Sequence, residues 1–145
     1  MPRIFDELGV RFVYPDNWEL ESQDSDLAQV VTVASPDGSF WCVSVLPADA
    51  GLAEAAQAML DGLRAEYDNL DSEAVVDDVL DHELLGYDVN FFCLDLTSTA
   101  QIRSFQTSQA TYTVLWQAED RDLEEVEPVF SAITTSLLQN AYSAE

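Results

Sequence analysis

The chain has no lysine and a single histidine, His82, and both shortages narrow its chemistry. Binding to a phosphate backbone relies on clustered Lys or Arg that release counterions. The cations here are Arg3, Arg11, Arg64, Arg103 and Arg121, far apart in the sequence, which excludes nucleic acid as a partner. The same shortage speaks against docking on anionic lipid. No run approaches the ~18 apolar residues of a membrane span. Met1 to Leu8 carries acids where a signal peptide needs an apolar core, so the expected compartment is the cytoplasm. Gly-x-Ser-x-Gly, His-Glu-x-x-His, a glycine-rich phosphate loop and Cys-x-x-Cys are all missing. The expectation is a protein that is not an enzyme and uses no cofactor.

Cysteine is scarce too. Cys42 and Cys93 each sit in an apolar, strand-like run, Phe40-Trp-Cys-Val-Ser-Val45 and Phe91-Phe-Cys-Leu94. Two readings stay open, a pair of reduced core thiols or a disulfide between neighbouring strands.

What the chain does have is acid: 28 Asp and Glu against five Arg, for a formal charge of −23 over 145 residues. Such a field suits solubility in a saline setting, and also attraction of a basic partner or a cation. With 48% hydrophobic and 10% aromatic residues there is material for one packed core. Gly and Pro, five each, fall at apparent turns, and no Ser/Gly-rich or Pro-rich tract divides the chain. Residues 1–145 therefore read as one domain.

Gly9-Val-Arg-Phe-Val-Tyr-Pro-Asp-Asn-Trp-Glu-Leu20 alternates, turns at Pro15-Asp16-Asn17 and restarts at Trp18, which predicts an opening hairpin. Glu21 to Asp26 reads as a solvated loop. Ala28 to Ser35 and Phe40 to Leu46 flank Pro36-Asp37-Gly38, a second hairpin whose apolar residues on both faces imply central strands. Leu52, Ala55, Ala56, Met59, Leu63 and Tyr67 recur at helical spacing, which predicts a helix over 52–69. Ala74 to Leu80 reads as an edge strand. Glu83 to Leu96 follows as a long strand with a bulge or bend at Gly86. Thr97-Ser98-Thr99 and Gln109-Ala110 then act as turns around Ala100 to Ser108, ahead of Thr111 to Gln117, completing an antiparallel meander. Leu123, Val126, Phe130, Ile133 and Leu137 share a helical face, but Pro128 breaks an interior helix, so the closing helix is expected over 128–138 with a frayed tail from Asn140.

This order of elements, with Phe12-x-Tyr14-Pro15-x-x-Trp18 at its start and Ser136-Leu137 in its closing helix, resembles the PsbP-like superfamily over Gly9 to Leu138. That superfamily includes the extrinsic photosystem II protein, the Ran-binding nuclear import factor of yeast and bacterial chaperones of type VI secretion effectors. The resemblance implies an α+β fold, an α/β/α sandwich around a central antiparallel sheet, and members that bind rather than catalyse. The photosystem subunit is exported and rich in lysine, which this chain does not match. The acidic bacterial chaperones fit better, although no recognition residue carries over one by one.

Two candidate sites follow from the residues. Asp77-Asp78-Val-Leu-Asp81-His82-Glu83 gathers oxygens and an imidazole, so Asp77, Asp78, Asp81 and His82 are candidate metal ligands. A solvated, acid-protected edge strand explains the same residues. The aromatics Trp18, Trp41, Phe91, Phe92, Phe105, Tyr112 and Trp116 either fill the core or line a groove for a peptide. The mixed strand around Arg103 and Phe105, beside Tyr112 and Trp116, marks the place for a partner-binding surface. The leading expectation is a non-catalytic module, monomeric or homodimeric, that binds a protein or peptide in a chaperone- or adaptor-like role. The alternative is a small-molecule or divalent-cation binder with weak hydrolytic chemistry at His82.

Overall fold

Alternating β-branched and aromatic residues build the sheet, and the turns between them set its order. The computed structural model describes residues 1–26 and 28–143, apart from the side chain of Cys93. Among these, the elements run β1 (Arg3–Glu7), β2 (Val10–Tyr14), β3 (Glu19–Asp24), β4 (Gln29–Ala34), β5 (Phe40–Pro47), α1 (Leu52–Glu66), β6 (Asp71–Val79), β7 (His82–Cys93), β8 (Leu96–Gln106), β9 (Ala110–Glu119) and α2 (Asp120–Ser143). Seven strands form one sheet in the order β3-β4-β5-β9-β8-β7-β6, while β1 and β2 pair with each other. Every ladder is antiparallel.

The Pro36-Asp37-Gly38 turn does what its residues imply. Gly38 takes a φ of 95°, and the Ser39 N–H donates to Ser35 Oγ and Asp37 Oδ1, each at 3.1 Å. The Ser35 hydroxyl, donating to Asp37, holds that carboxyl below its ordinary pKa.

The sheet separates two apolar layers. On one face Val31, Val33, Trp41, Val43, Phe105, Tyr112, Val114 and Trp116 pack beneath α2 and the β1–β2 hairpin, against Phe5, Phe12, Trp18, Phe130, Ile133 and Leu137. Trp41 anchors α2 through its indole N–H, which donates to Thr134 Oγ1 at 2.9 Å. On the other face Cys42, Val89, Phe91, Ala100, Ile102 and Leu115 meet Ala56, Leu60 and Leu63 of α1. Because α1 lies over β7, β8 and β9, Val30, Thr32 and Ala34 of β4 stay half-buried. β4 is thus covered on one side only, and β5 is the central member of that pair.

Several boundaries differ from the sequence-based expectation. Pro15 to Asn17 does turn the chain, with the Trp18 N–H on the Pro15 carbonyl at 3.2 Å, but β2 and β3 enter different sheets. The partner of β2 is β1, where Phe5 stacks on Phe12 at 5.4 Å. Residues 21–26 are not all loop: through Asp24 they belong to β3, an edge strand, which pairs on one side and keeps its acids wet. Thr97-Ser98-Thr99 is strand rather than turn, as suits β-branched residues; Leu94 and Asp95 make the turn instead, at φ of 53° and 67°. The helix α1 stops at Glu66 because Tyr67 is extended, its ring 4.2 Å from that of Phe91. The question of a Cys42–Cys93 pair falls on a side chain outside the described residues.

The closing helix runs through Pro128, beginning eight residues before the expected start. Proline there supplies no N–H for the Glu124 carbonyl, yet both residues are exposed, so the carbonyl is open to solvent rather than stranded in the core. The inward stripe of Val126, Phe130, Ile133, Leu137 and Leu138 continues across the proline and holds both halves down. The helix extends to Ser143, so the tail from Asn140 is ordered that far, and residues 144–145 lie outside the description. No helix among the described residues is long and apolar enough to cross a membrane. Pro128→Ala restores the missing bond and is expected to raise unfolding free energy by about 1–3 kcal/mol in urea titration.

Candidate functional site

Among the described residues, Arg103 is the one charged side chain that is buried, at 4% exposure. β8 presents it on the α2 face, opposite Gly86 of β7 and Val114 of β9. Glycine is required at 86 because a Cβ there would lie 1.8 Å from the Ile102 carbonyl oxygen, a backbone atom that cannot yield. The guanidinium spreads across β7. Its Nε donates to Asp77 Oδ2 and its Nη2 to Asp88 Oδ1, both at 2.7 Å, while Nη1 reaches the carbonyls of Ile102 and Tyr87 at 2.8 and 3.2 Å. Two carboxylates and two carbonyls offset the cost of removing this charge from water. The cluster ties β6, β7 and β8 into one register.

Phe105, Tyr112 and Trp116 share that face but are buried, which corrects their assignment, with Arg103, as a partner-binding surface. The reason is the length of α2. Phe105 stacks on Tyr112 at 4.8 Å and lies 5.9 Å from Tyr142 near the helix end, and Trp116 stacks on Phe130 at 5.1 Å.

The candidate metal ligands do not converge. Asp77 is engaged by Arg103, whereas Asp78 lies on the other side of β6 by strand alternation. Asp81 occupies the second position of the Leu80–Asp81 turn, at φ 63°. The His82 ring lies flat on that of Tyr142, with centroids 3.5 Å apart and an interplanar angle of 2°. No set of three or more His, Cys, Asp or Glu among the described residues is placed to hold a metal ion; Asp77 and Asp78 belong to the edge strand β6, Asp81 to the turn, and His82 opens β7. Nor does Cys42 offer a nucleophile, since burial raises its thiol pKa from 9.0 to about 12.

The open part of the α2 face lies further along β7 and β8. Asp88, Asn90 and Phe92 on β7 lie beside Gln101, Thr99 and Thr97 on β8. The Thr99 hydroxyl is within hydrogen-bond range of Asn90 Oδ1 at 3.1 Å and Asp120 Oδ1 at 2.6 Å. The side-chain Oε1 of Gln101 accepts from the Trp116 indole N–H at 3.2 Å. Of the seven aromatics considered for a groove, six are buried and Phe92 is 62% exposed. Sequence reasoning missed Leu94, bare in the turn beyond Phe92, and Leu96, partly exposed on the opposite face of the hairpin. The Leu94–Asp95 turn carries no Asn-Gly or Asp-Gly signal, so the hairpin tip was not legible.

No protein-family model matches the chain, and no curated protein matches it. Solved structures do. Cyanobacterial PsbP (CyanoP) from Synechocystis sp. PCC 6803 is similar over 93% of this chain and 90% of its own, with a TM-score of 0.59 and 12% identity. The fold is PsbP-like. LpqN, involved in cell envelope biogenesis of Mycobacterium tuberculosis, shares the PsbP-like build over 92% of this chain and 80% of its own, at TM-score 0.51 and 14% identity. The protein of unknown function PA94 from Pseudomonas aeruginosa covers 94% of this chain and 95% of its own, at TM-score 0.52 and 12% identity. At such identities the similarity concerns architecture alone.

Two outcomes test this description of the PsbP-like sheet. Arg103→Met leaves two facing carboxylates without their cation and is expected to cost about 2 kcal/mol, with Asp88→Asn costing less, because both acids keep access to water. A double-mutant cycle of the two changes should show coupling. Cys42 should resist maleimide in the native protein at pH 8 and react once unfolded, read by mass spectrometry of its peptide. Its raised pKa makes the unfolded chain lose the proton first, so this group's contribution to stability is lost as pH rises from 9.0 toward about 12.

Proposed function

We propose that this PsbP-like domain is a non-catalytic interaction module that binds a protein or peptide. The observation that carries this reading is the open, acid-bordered end of the sheet, where Phe92 stands exposed beside Asp88, Asn90, Thr99 and Asp120. The groups suited to chemistry are engaged elsewhere: His82 is stacked on Tyr142, Cys42 is buried, and Arg103 is held by two carboxylates. An apolar side chain within an acidic border suits recognition, since shape fixes the contact and charge selects a basic partner. Repulsion between copies, each carrying −23, favours a monomer that meets a different protein. One similar structure belongs to a protein of cell envelope biogenesis, so the compartment of action is as open to the envelope as to the cytoplasm. Fractionation of the source cells separates the two.

Affinity capture from the source extract tests the reading. Immobilised protein should retain a specific partner at about 0.05 M salt and release it at about 1 M, where screening shortens to a few ångströms. Retention of nothing at either salt would sink it.

A further inference from the structure

We propose that residues 91–97, the tip of the β7–β8 hairpin, form a docking finger for a protein segment in which apolar side chains alternate with Lys or Arg. This deepens the interaction reading above and rests on it. The finger is defined by where its neighbours stop. The ladder between β6 and β7 ends at Asp71 opposite Asn90, and the ladder between β8 and β9 ends at Ser98 opposite Glu119. Residues 91–97 therefore extend beyond both flanking strands: Phe91 pairs with Ser98 at the root, and from Phe92 to Thr97 the segment pairs only with itself.

The base of the finger is fixed and its tip is bare. Phe91 is buried against Tyr67 with ring centroids 4.2 Å apart, whereas Phe92, Leu94 and Leu96 are 62%, 92% and 37% exposed. Leu94 occupies the left-handed region at φ 53°. A leucine there costs on the order of 1 kcal/mol that glycine or asparagine would largely avoid. Its side chain gives no packing in return. Local strain joined to exposed apolar area is a mark of a contact site.

Charge selects the occupant. Asp95 lies in the turn itself, Asp71 and Glu119 cap the two ladders, and Asp120 bonds Thr99 at the finger's root. Two cations lie on the flanking elements and both are engaged, Arg121 by Glu119 at 2.6 Å and Arg64 with the Ser72 hydroxyl of β6 at 3.1 Å. A second copy would bring the same acidic collar, and an anionic bilayer the same sign of charge. A segment of another protein carrying Leu or Phe among Lys or Arg satisfies the apolar tip and the collar together.

The test uses a displayed library of random 16-residue peptides on the full chain. Enriched peptides should carry Leu, Phe or Trp together with Lys or Arg. For the best of them, Phe92→Ser/Leu94→Asn/Leu96→Ser should weaken binding at least about tenfold. That variant should melt no lower than the parent, because asparagine suits the turn. Asp71→Asn/Asp120→Asn should weaken binding and flatten its salt dependence. The comparison variant Val129→Ser lies in the apolar groove of about 480 Å³ between β2 and α2 and should leave binding unchanged. Enrichment without basic residues overturns the finger, as does binding that survives the finger variant. Dimerisation through the tip in light scattering, or co-sedimentation with phosphatidylcholine vesicles, overturns it as well. If no peptide is enriched while the extract still yields a partner, the finger falls and the interaction reading stands.

Discussion

Twenty-eight carboxylates must stay in water, and the rest of the structure is arranged around that requirement. No Asp or Glu is buried among the described residues. The polar groups that do go inside are Ser and Thr hydroxyls, matched locally as in the 3.0 Å contact of Ser104 with Thr113, and the single guanidinium of Arg103. The acids collect on the outward faces of α1 and α2 and on the two edge strands, β3 and β6. Asp120 and Asp122 in the first turn of α2 also meet the positive end of its dipole.

This division made the centre of the fold legible. Phe12, Tyr14 and Trp18 are core residues, the Pro36-Asp37-Gly38 turn joins two paired strands, and Leu52 to Glu66 is helical, each because hydrophobic period and turn chemistry agreed. The periphery was harder to read for the same reason. Glu19 to Asp24 and Asp71 to Val79 look like loops or weak strands because their acids obscure an alternation that an edge does not need. Pro128 signalled a break that the packing of Phe130 and Ile133 overrides.

The incompletely covered sheet face was legible in kind and misplaced along the sheet. The strand that carries Arg103 and Phe105 does lead to an incompletely covered face, but α2 is long enough to close the part at Tyr112 and Trp116 and leaves the part at Asp88, Asn90 and Phe92. Only the extent of that helix decides which end stays open, and Pro128 concealed it. The acidic run at Asp77 to Glu83 shows the converse. Adjacent residues on a strand point to opposite sides, so nearness in sequence kept Asp77 and Asp78 apart while pairing brought Asp77 to Arg103 from a strand that is not its neighbour.

The acidic borders β3 and β6 carry a further consequence for the molecule in bulk. Each is the last strand of its side of the sheet, with backbone groups that no further strand pairs. Their side chains keep other chains away only while ionised. High salt screens that repulsion on both borders at once. Sheets can then join side by side into growing filaments, so the protein's resistance to polymerising is a property of its ionic surroundings as much as of its shape.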